Sequence, residues 1–149
     1  MNVAAATATD LADWATLRQA LWPRLGLQGH AAEIAQMLEE PSDLANFIAR
    51  TAEGTAVGLA EAALRHDYVN GCRTSPVAFL EGIYVRPQHR RSGTARLLVA
   101  AVEDWAQAMG CSEFASDAAL DNVDSHRMHA ALGFAETQRV VYFRKALQA

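Results

Sequence analysis

The chain has 149 residues, 51% of them hydrophobic and 20% charged, with a net charge of −4 from 17 acidic and 13 basic residues. That length suffices for one domain with a full core, and no apolar run approaches the ~20 residues needed to span a bilayer. The acidic balance argues against general nucleic-acid binding, which takes a basic surface, and suits a small cationic substrate.

Residues 1–7 lack a basic segment followed by a strong apolar core, so no secretory signal and no membrane partner are expected. Cys72 and Cys111 form no zinc spacing, and a chain of this size needs no covalent staple. The expectation is two reduced thiols in a cytoplasm and no bound metal.

In chain order, residues 2–6 are small and apolar and predict a first strand. Thr9 or Asp10 caps a helix with Leu11, Trp14, Leu17 and Leu21 at helical spacing. Pro23, Gly26 and Gly29 break it, and a short second helix carries Ile34, Met37 and Leu38 up to Pro41. Ala45, Phe47 and Ala49 alternate as a strand. Glu53-Gly54 turns into a longer strand, about Thr55 to Tyr68. Asn70-Gly71 is a strong hairpin signal, so a strand from about Arg73 to Val85 should return antiparallel.

A third helix places Leu98, Val102, Trp105 and Met109 on one face and stops at Gly110. A short strand, Glu113–Ser116, leads to Asp117. Asp121 or Asn122 caps a fourth helix that ends at Leu132-Gly133-Phe134, and Val140–Phe143 predicts a last strand. The order βααβββαβαβ implies a single mixed α/β domain over residues 1–149, with no internal repeat or linker.

Chemistry concentrates between Phe79 and Ala95. Alternation puts Val77, Phe79, Glu81, Ile83 and Val85 on one face of a central strand, with Ala78, Leu80, Gly82 and Tyr84 on the other. Glu81 is then a lone carboxylate in an apolar row, which must meet a cation, accept hydrogen bonds or carry a proton. After Pro87 comes a basic loop with Arg90, Arg91, Ser92 and Gly93 at the start of the third helix. Such a loop aims backbone N–H groups and the positive end of the helix dipole at an anion suited to a phosphate. It lacks the Gly-Lys-Ser/Thr of a P-loop and the three glycines of a dinucleotide fingerprint. Asp117 sits at a strand C-terminus, where ligands collect in α/β sheets, or else is an ordinary turn residue.

Arg90, Arg91, Ser92, Gly93, Thr94 and Ala95 resemble the Arg/Gln-x-x-Gly-x-Gly/Ala loop of the GCN5-related N-acetyltransferases, which holds the pyrophosphate of acetyl-CoA. Ser125-x-x-Met-His129-x-x-Leu132-Gly133-Phe134 resembles the family's final motif. A narrower resemblance, to the aminoglycoside 6′-N-acetyltransferases, spans nearly the whole chain. It is carried by Leu21-Trp22-Pro23, Tyr68-Val-Asn-Gly71, Phe79 to Val85, His89 to Gly93, Phe114-Ala-Ser-Asp-Ala-Ala-Leu-Asp-Asn122 and Val140-Val-Tyr-Phe143.

The resemblance implies a twisted mixed sheet flanked by four helices, opening between the strand ending at Val85 and the strand 113–116. It implies drug contacts at Trp22, Tyr68, Glu81 and Asp117, with Gln138 where relatives often carry a glutamate. CoA contacts fall on Ile83, Tyr84 and Val85, along Arg90–Ala95, and at Asn122. Many relatives carry a tyrosine where this chain has His129, so the proton for the departing thiolate comes from His129, from Tyr142 or from solvent. The implied reaction is direct acetyl transfer to a 6′-amine, with Glu81 as proton acceptor and Asp117 holding the polycation, in a homodimer. The alternatives are an acetyltransferase for another polyamine or a protein N-terminus, and an acyl-CoA-binding module without chemistry. A module of that last kind needs no pair of carboxylates on its acceptor side.

Overall fold

The computed structural model describes residues 1–148. They form two compact units, Met1–Asp117 and the part from Ala118 onward. The first holds a five-stranded sheet in the order β1 (Asn2–Ala5), β2 (Leu44–Arg50), β3 (Ala56–Arg65), β4 (Val77–Val85) and β5 (Phe114–Ser116). The first four strands pair antiparallel in sequence order, and β5 joins β4 in parallel.

α1 (Leu11–Leu21) and α2 (Leu27–Glu39) cover one face of the sheet, burying Trp14, Leu17 and Ile34 against Ile48 and Leu59. α3 (Thr94–Ala108) covers the other, burying Leu98 and Val102 against Ala60, Ala62 and Leu80. Both faces of β3 and β4 are thus packed, which explains their near-continuous apolar sequence. No described helix is long and apolar enough to cross a membrane.

Several expectations are corrected. The connection after β3 runs over residues 66–76, so Asn70-Gly71 is a turn within a long loop rather than a two-residue hairpin. Gly71 still takes the positive φ (82°) that made the signal. Glu113 holds this loop: its Oε1 accepts from the N–H groups of Arg73 and Thr74, both at 2.8 Å, and from the Thr74 hydroxyl. α2 begins earlier than expected and includes Gly29; the break falls on Gly26, at φ 83°. Asp10, one of the two expected caps, does occupy the N-cap of α1, but its carboxylate accepts from the Thr7 N–H at 2.8 Å around a preceding turn of 3₁₀ helix and not from an α1 N–H.

The second unit contains α4 (Val123–Ala131), capped as expected by Asn122, whose Oδ1 accepts from the Ser125 N–H at 3.2 Å. The expected strand Val140–Phe143 does not form: residues 134–148 have no regular secondary structure. A strand needs a neighbour for its backbone groups, and an apolar alternation does not supply one.

Candidate functional site

The register of β4 decides where its side chains go. Glu61 faces Gly82 and Ala62 faces Leu80, leaving Glu81 as an extra residue without a partner on β3. This is a β-bulge, and it reverses the alternation of faces beyond it. Ala78, Leu80, Ile83 and Val85 therefore pack on the α3 side, while Gly82 and Tyr84 lie toward α1 and α2. The expected row of Val77, Phe79, Glu81, Ile83 and Val85 on one face is corrected accordingly.

The bulge also changes the setting of Glu81. Its side chain is 37% exposed and makes a two-oxygen pair with Arg65 Nη2, at 2.9 and 3.0 Å. Arg65 lies over the Phe79 ring, 3.5 Å from its centroid, so its guanidinium is held in place. The expected buried lone carboxylate is thus an edge carboxylate with a cation, one of the outcomes its sequence context allowed.

The buried carboxylate of this face is Glu61, which the motif reading missed. It accepts from Trp14 Nε1 at 2.7 Å and from Arg18 Nη1 at 2.9 and 3.0 Å. Burial pushes the Glu61 carboxyl above the usual carboxylate range, opposed by the Trp14 hydrogen bond and the Arg18 charge. A signal existed: in Ala-Val-Gly-Leu-Ala-Glu-Ala-Ala-Leu64, Glu61 is as isolated as Glu81 is in its own strand.

Trp22, Glu61 and Glu81 meet in one cavity of about 670 Å³, walled also by Arg18, Glu33 and Glu40. Four carboxylates against one arginine on this wall favour a cationic occupant. Tyr68 stands 74% exposed on the long loop, and Asp117 is exposed just after β5; neither lines this cavity.

β4 and β5 pair only from Ala78 to Leu80, so Glu81 is the first β4 residue past the shared ladder. Beyond it no strand among the described residues pairs with the β5 side of β4. The Arg86 N–H bonds the Val57 carbonyl across Gly58↔Val85, so Val85 and Ile83 direct their backbone groups away from β3, onto this open edge. Arg90 Nε takes the Val85 carbonyl at 2.7 Å, and its guanidinium lies 5.6 Å from the Tyr84 ring centroid.

The loop after β4 turns through Arg91 (φ 59°) and Gly93 (φ 85°) into α3. The Ser92 hydroxyl donates to the His89 carbonyl and lies 3.1 Å from the Thr94 hydroxyl, closing the loop on itself. The first α-helical bond runs from Leu97 to Gly93, so the Thr94 and Ala95 N–H groups precede it and project from the helix end. A Cβ on Gly93 would have no protein atom within 4 Å. The space over this nitrogen-rich end is open, which fits a pyrophosphate seated on it.

In the second unit, His129 Nδ1 donates to the Ser125 carbonyl at 2.7 Å, and its ring meets Phe134 edge-on at 5.1 Å. Gln138 is exposed, and Tyr142 is 81% exposed. Among the described residues no group of three His, Cys, Asp or Glu side chains is placed to hold a metal.

Residues 11–134 match the model of the acetyltransferase (GNAT) family. An aminoglycoside N(6′)-acetyltransferase type 1 from Serratia marcescens is 54% identical over 138 residues, 93% of this chain and 94% of that protein. The apo crystal structure of an aminoglycoside antibiotic 6′-N-acetyltransferase from Acinetobacter haemolyticus superposes with a TM-score of 0.93. It shares 49% identity, covering 99% of this chain and all of that one. A related enzyme solved with the bisubstrate analog CoA-S-monomethyl-acetylneamine has a TM-score of 0.92 at 46% identity, covering 98% of both chains. On a match spanning most of its length, and on relatives near half identical over almost all of it, the chain belongs to the acetyltransferase (GNAT) family.

Proposed function

We propose that this protein is an aminoglycoside 6′-N-acetyltransferase that transfers acetyl directly from acetyl-CoA to the 6′-amine. The observation that carries the site assignment is the parting of β4 from β5 after Leu80. It places Glu81 beside both an open backbone edge and an acidic cavity walled by Trp22.

An amine attacks a thioester without a covalent enzyme intermediate once it has lost its proton. The nitrogen bonds to the carbonyl carbon, the C–S bond breaks, and the thiolate takes up a proton. Glu81 accepts the amine proton, directly or through a water. The Ile83 or Val85 N–H polarises the carbonyl from the open edge of β4. Arg90, Arg91, Ser92, Gly93, Thr94 and Ala95 hold the pyrophosphate, and Asn122 contacts CoA. Trp22, Tyr68, Asp117 and Gln138 orient the drug, so the amine arrives aligned with the thioester. The thiolate proton comes from His129, Tyr142 or solvent. No step calls for a metal.

Thiol release from acetyl-CoA is the test. It should be fast with an aminoglycoside and near zero without one. An acyl-CoA-binding module would give no stimulated release, and an enzyme for another amine would respond to that amine instead.

Gly93→Val should raise the Kd for acetyl-CoA at least about tenfold. It forces a β-branched residue to φ 85° and fills the space above the amides, removing charge-assisted hydrogen bonds. Calorimetry giving the wild-type Kd would place the pyrophosphate elsewhere. Asp117→Asn should raise the aminoglycoside KM and flatten its salt dependence, since one screenable attraction is lost. Turnover at saturation should change less. Equal KM values and equal salt slopes in both proteins would make Asp117 a turn residue only.

Both units are proposed to form one acetyltransferase domain, a reading supported by the family match running across Asp117. The protein is proposed to act in the cytoplasm, where acetyl-CoA is made and where Cys72 and Cys111 stay as free thiols. Recovery from an extracellular or periplasmic fraction would contradict this. It is proposed to be a homodimer. Val141, Tyr142, Phe143 and Leu147 are each 76–92% exposed, and a second copy would cover these apolar side chains. Sedimentation as a monomer at micromolar concentration would remove the dimer.

A further inference from the structure

We propose that Arg18, His30 and Gly82 are positioning residues for the acceptor, which hold the Trp22 indole as a rigid wall beside Glu81. The inference rests on the assignment of Trp22 to drug binding.

Trp22 occupies the C-cap of α1, where the chain leaves the helix ahead of Pro23. Helical geometry alone would leave a large side chain there free to move. Three contacts hold it. The first is on its backbone: His30, fully buried, donates from Nε2 to the Trp22 carbonyl at 2.9 Å. The His30 Nδ1 accepts from Arg18 Nε at 3.1 Å. A carbonyl can only accept and a guanidinium can only donate, so both partners select the neutral imidazole with its proton on Nε2.

The second contact is on one face of the ring. The Arg18 guanidinium carbon lies 5.1 Å from the Trp22 centroid. Arg18 cannot swing away, because Glu61 takes Nη1, Glu33 takes Nη2 and His30 takes Nε. Two carboxylates also neutralise its charge, so a cation is stacked on the wall without repelling a cationic occupant.

The third contact is β4 itself. A Cβ on Gly82 would lie 2.5 Å from Cζ2 and 2.6 Å from Cη2 of Trp22, and 2.9 Å from Leu21 Cδ2. Gly82 has no positive φ, so glycine is required here by the approach of the indole and not by the backbone conformation. Any side chain at this position must displace the ring from β4, and Arg18 restricts where the ring can go.

A wall ordered before the acceptor arrives spares the ordering cost on binding, and its position sets the distance from the acceptor amine to Glu81. These residues therefore act on acceptor affinity through Trp22.

The test is a double-mutant cycle on Gly82→Ala and Trp22→Ala, by steady-state kinetics with neamine as acceptor. Gly82→Ala should raise the neamine KM about tenfold and leave the acetyl-CoA KM unchanged. In the Trp22→Ala background it should add nothing. Arg18→Lys, which keeps the charge but loses the planar fork, should behave in the same way and serves where Gly82→Ala does not fold. An unchanged neamine KM in the folded variants, or effects that add to that of Trp22→Ala, would overturn the positioning role. An unchanged neamine KM in Trp22→Ala itself would remove the drug-wall assignment, and the inference with it.

Discussion

Glu81→Gln should lower turnover about 100-fold or more near neutral pH while leaving acetyl-CoA affinity almost unchanged. The amide keeps the size of the carboxylate at the bulge and still occupies the edge beside the open backbone groups of Ile83 and Val85. What it loses is the ability to take a proton from the amine. The deficit should shrink from about pH 6 to 9, as a larger share of the acceptor reaches the site already deprotonated. Arg65 is left without its carboxylate, but both side chains are more than a third exposed and water can take its place. Fold stability should therefore fall little, and a kinetic loss will not be a folding loss. Wild-type turnover across that pH range would take the proton-acceptor role away from Glu81.

Glu61→Ala should cost about 3–5 kcal/mol of stability, the scale for breaking a buried ion pair from one side. Arg18 would stay buried with only the half-exposed Glu33 to balance it, and Trp14 Nε1 would lose its acceptor. Replacing both partners, as in Arg18→Met with Glu61→Leu, should recover most of that loss, because no unpaired charge remains. Urea denaturation of Glu61→Ala and of the double variant measures this. Equal losses in Glu61→Ala and the double variant would show that packing, and not charge, sets the cost.

A pH effect follows from the same group. Burial raises the Glu61 carboxyl above its ordinary value, so the folded state keeps that proton to higher pH than the unfolded chain does. The proton-linked part of its contribution to stability is complete below the ordinary value and is lost as pH rises through the raised one, while the contacts to Arg18 and Trp14 remain. Glu61→Ala should lack this slope.

Much of the fold was legible because local signals coincide with what the backbone needs. Gly54, Gly71, Gly93, Gly110 and Gly133 all take positive φ at the turns and helix ends where the sequence placed them. Asn122 caps α4 because a short acceptor side chain ahead of a helix satisfies an otherwise unpaired N–H. The loop before α3 was legible for the same reason, since Arg90 to Ala95 are contiguous and the turn they make, through Arg91 and Gly93 at positive φ, is local to one helix end.

The illegible parts depend on partners distant in sequence. Alternation assigned Glu81 to a buried face, but a bulge is a property of the β3–β4 pair and has no signature within β4 alone. The cavity wall joins Arg18, Trp22, His30 and Glu61, with Gly82 packed against the Trp22 ring, and only the packing of α1 and α2 onto the sheet brings them together. Val140–Phe143 carries a strand's composition without forming a strand. The sequence by itself determined the family, the order of elements as far as α4, the glycine-bearing loop at the start of α3 and the acidic balance of the chain. Only the tertiary structure decided which carboxylate is buried and which is available, because register and burial are set by pairing between strands, and no single strand encodes its neighbour.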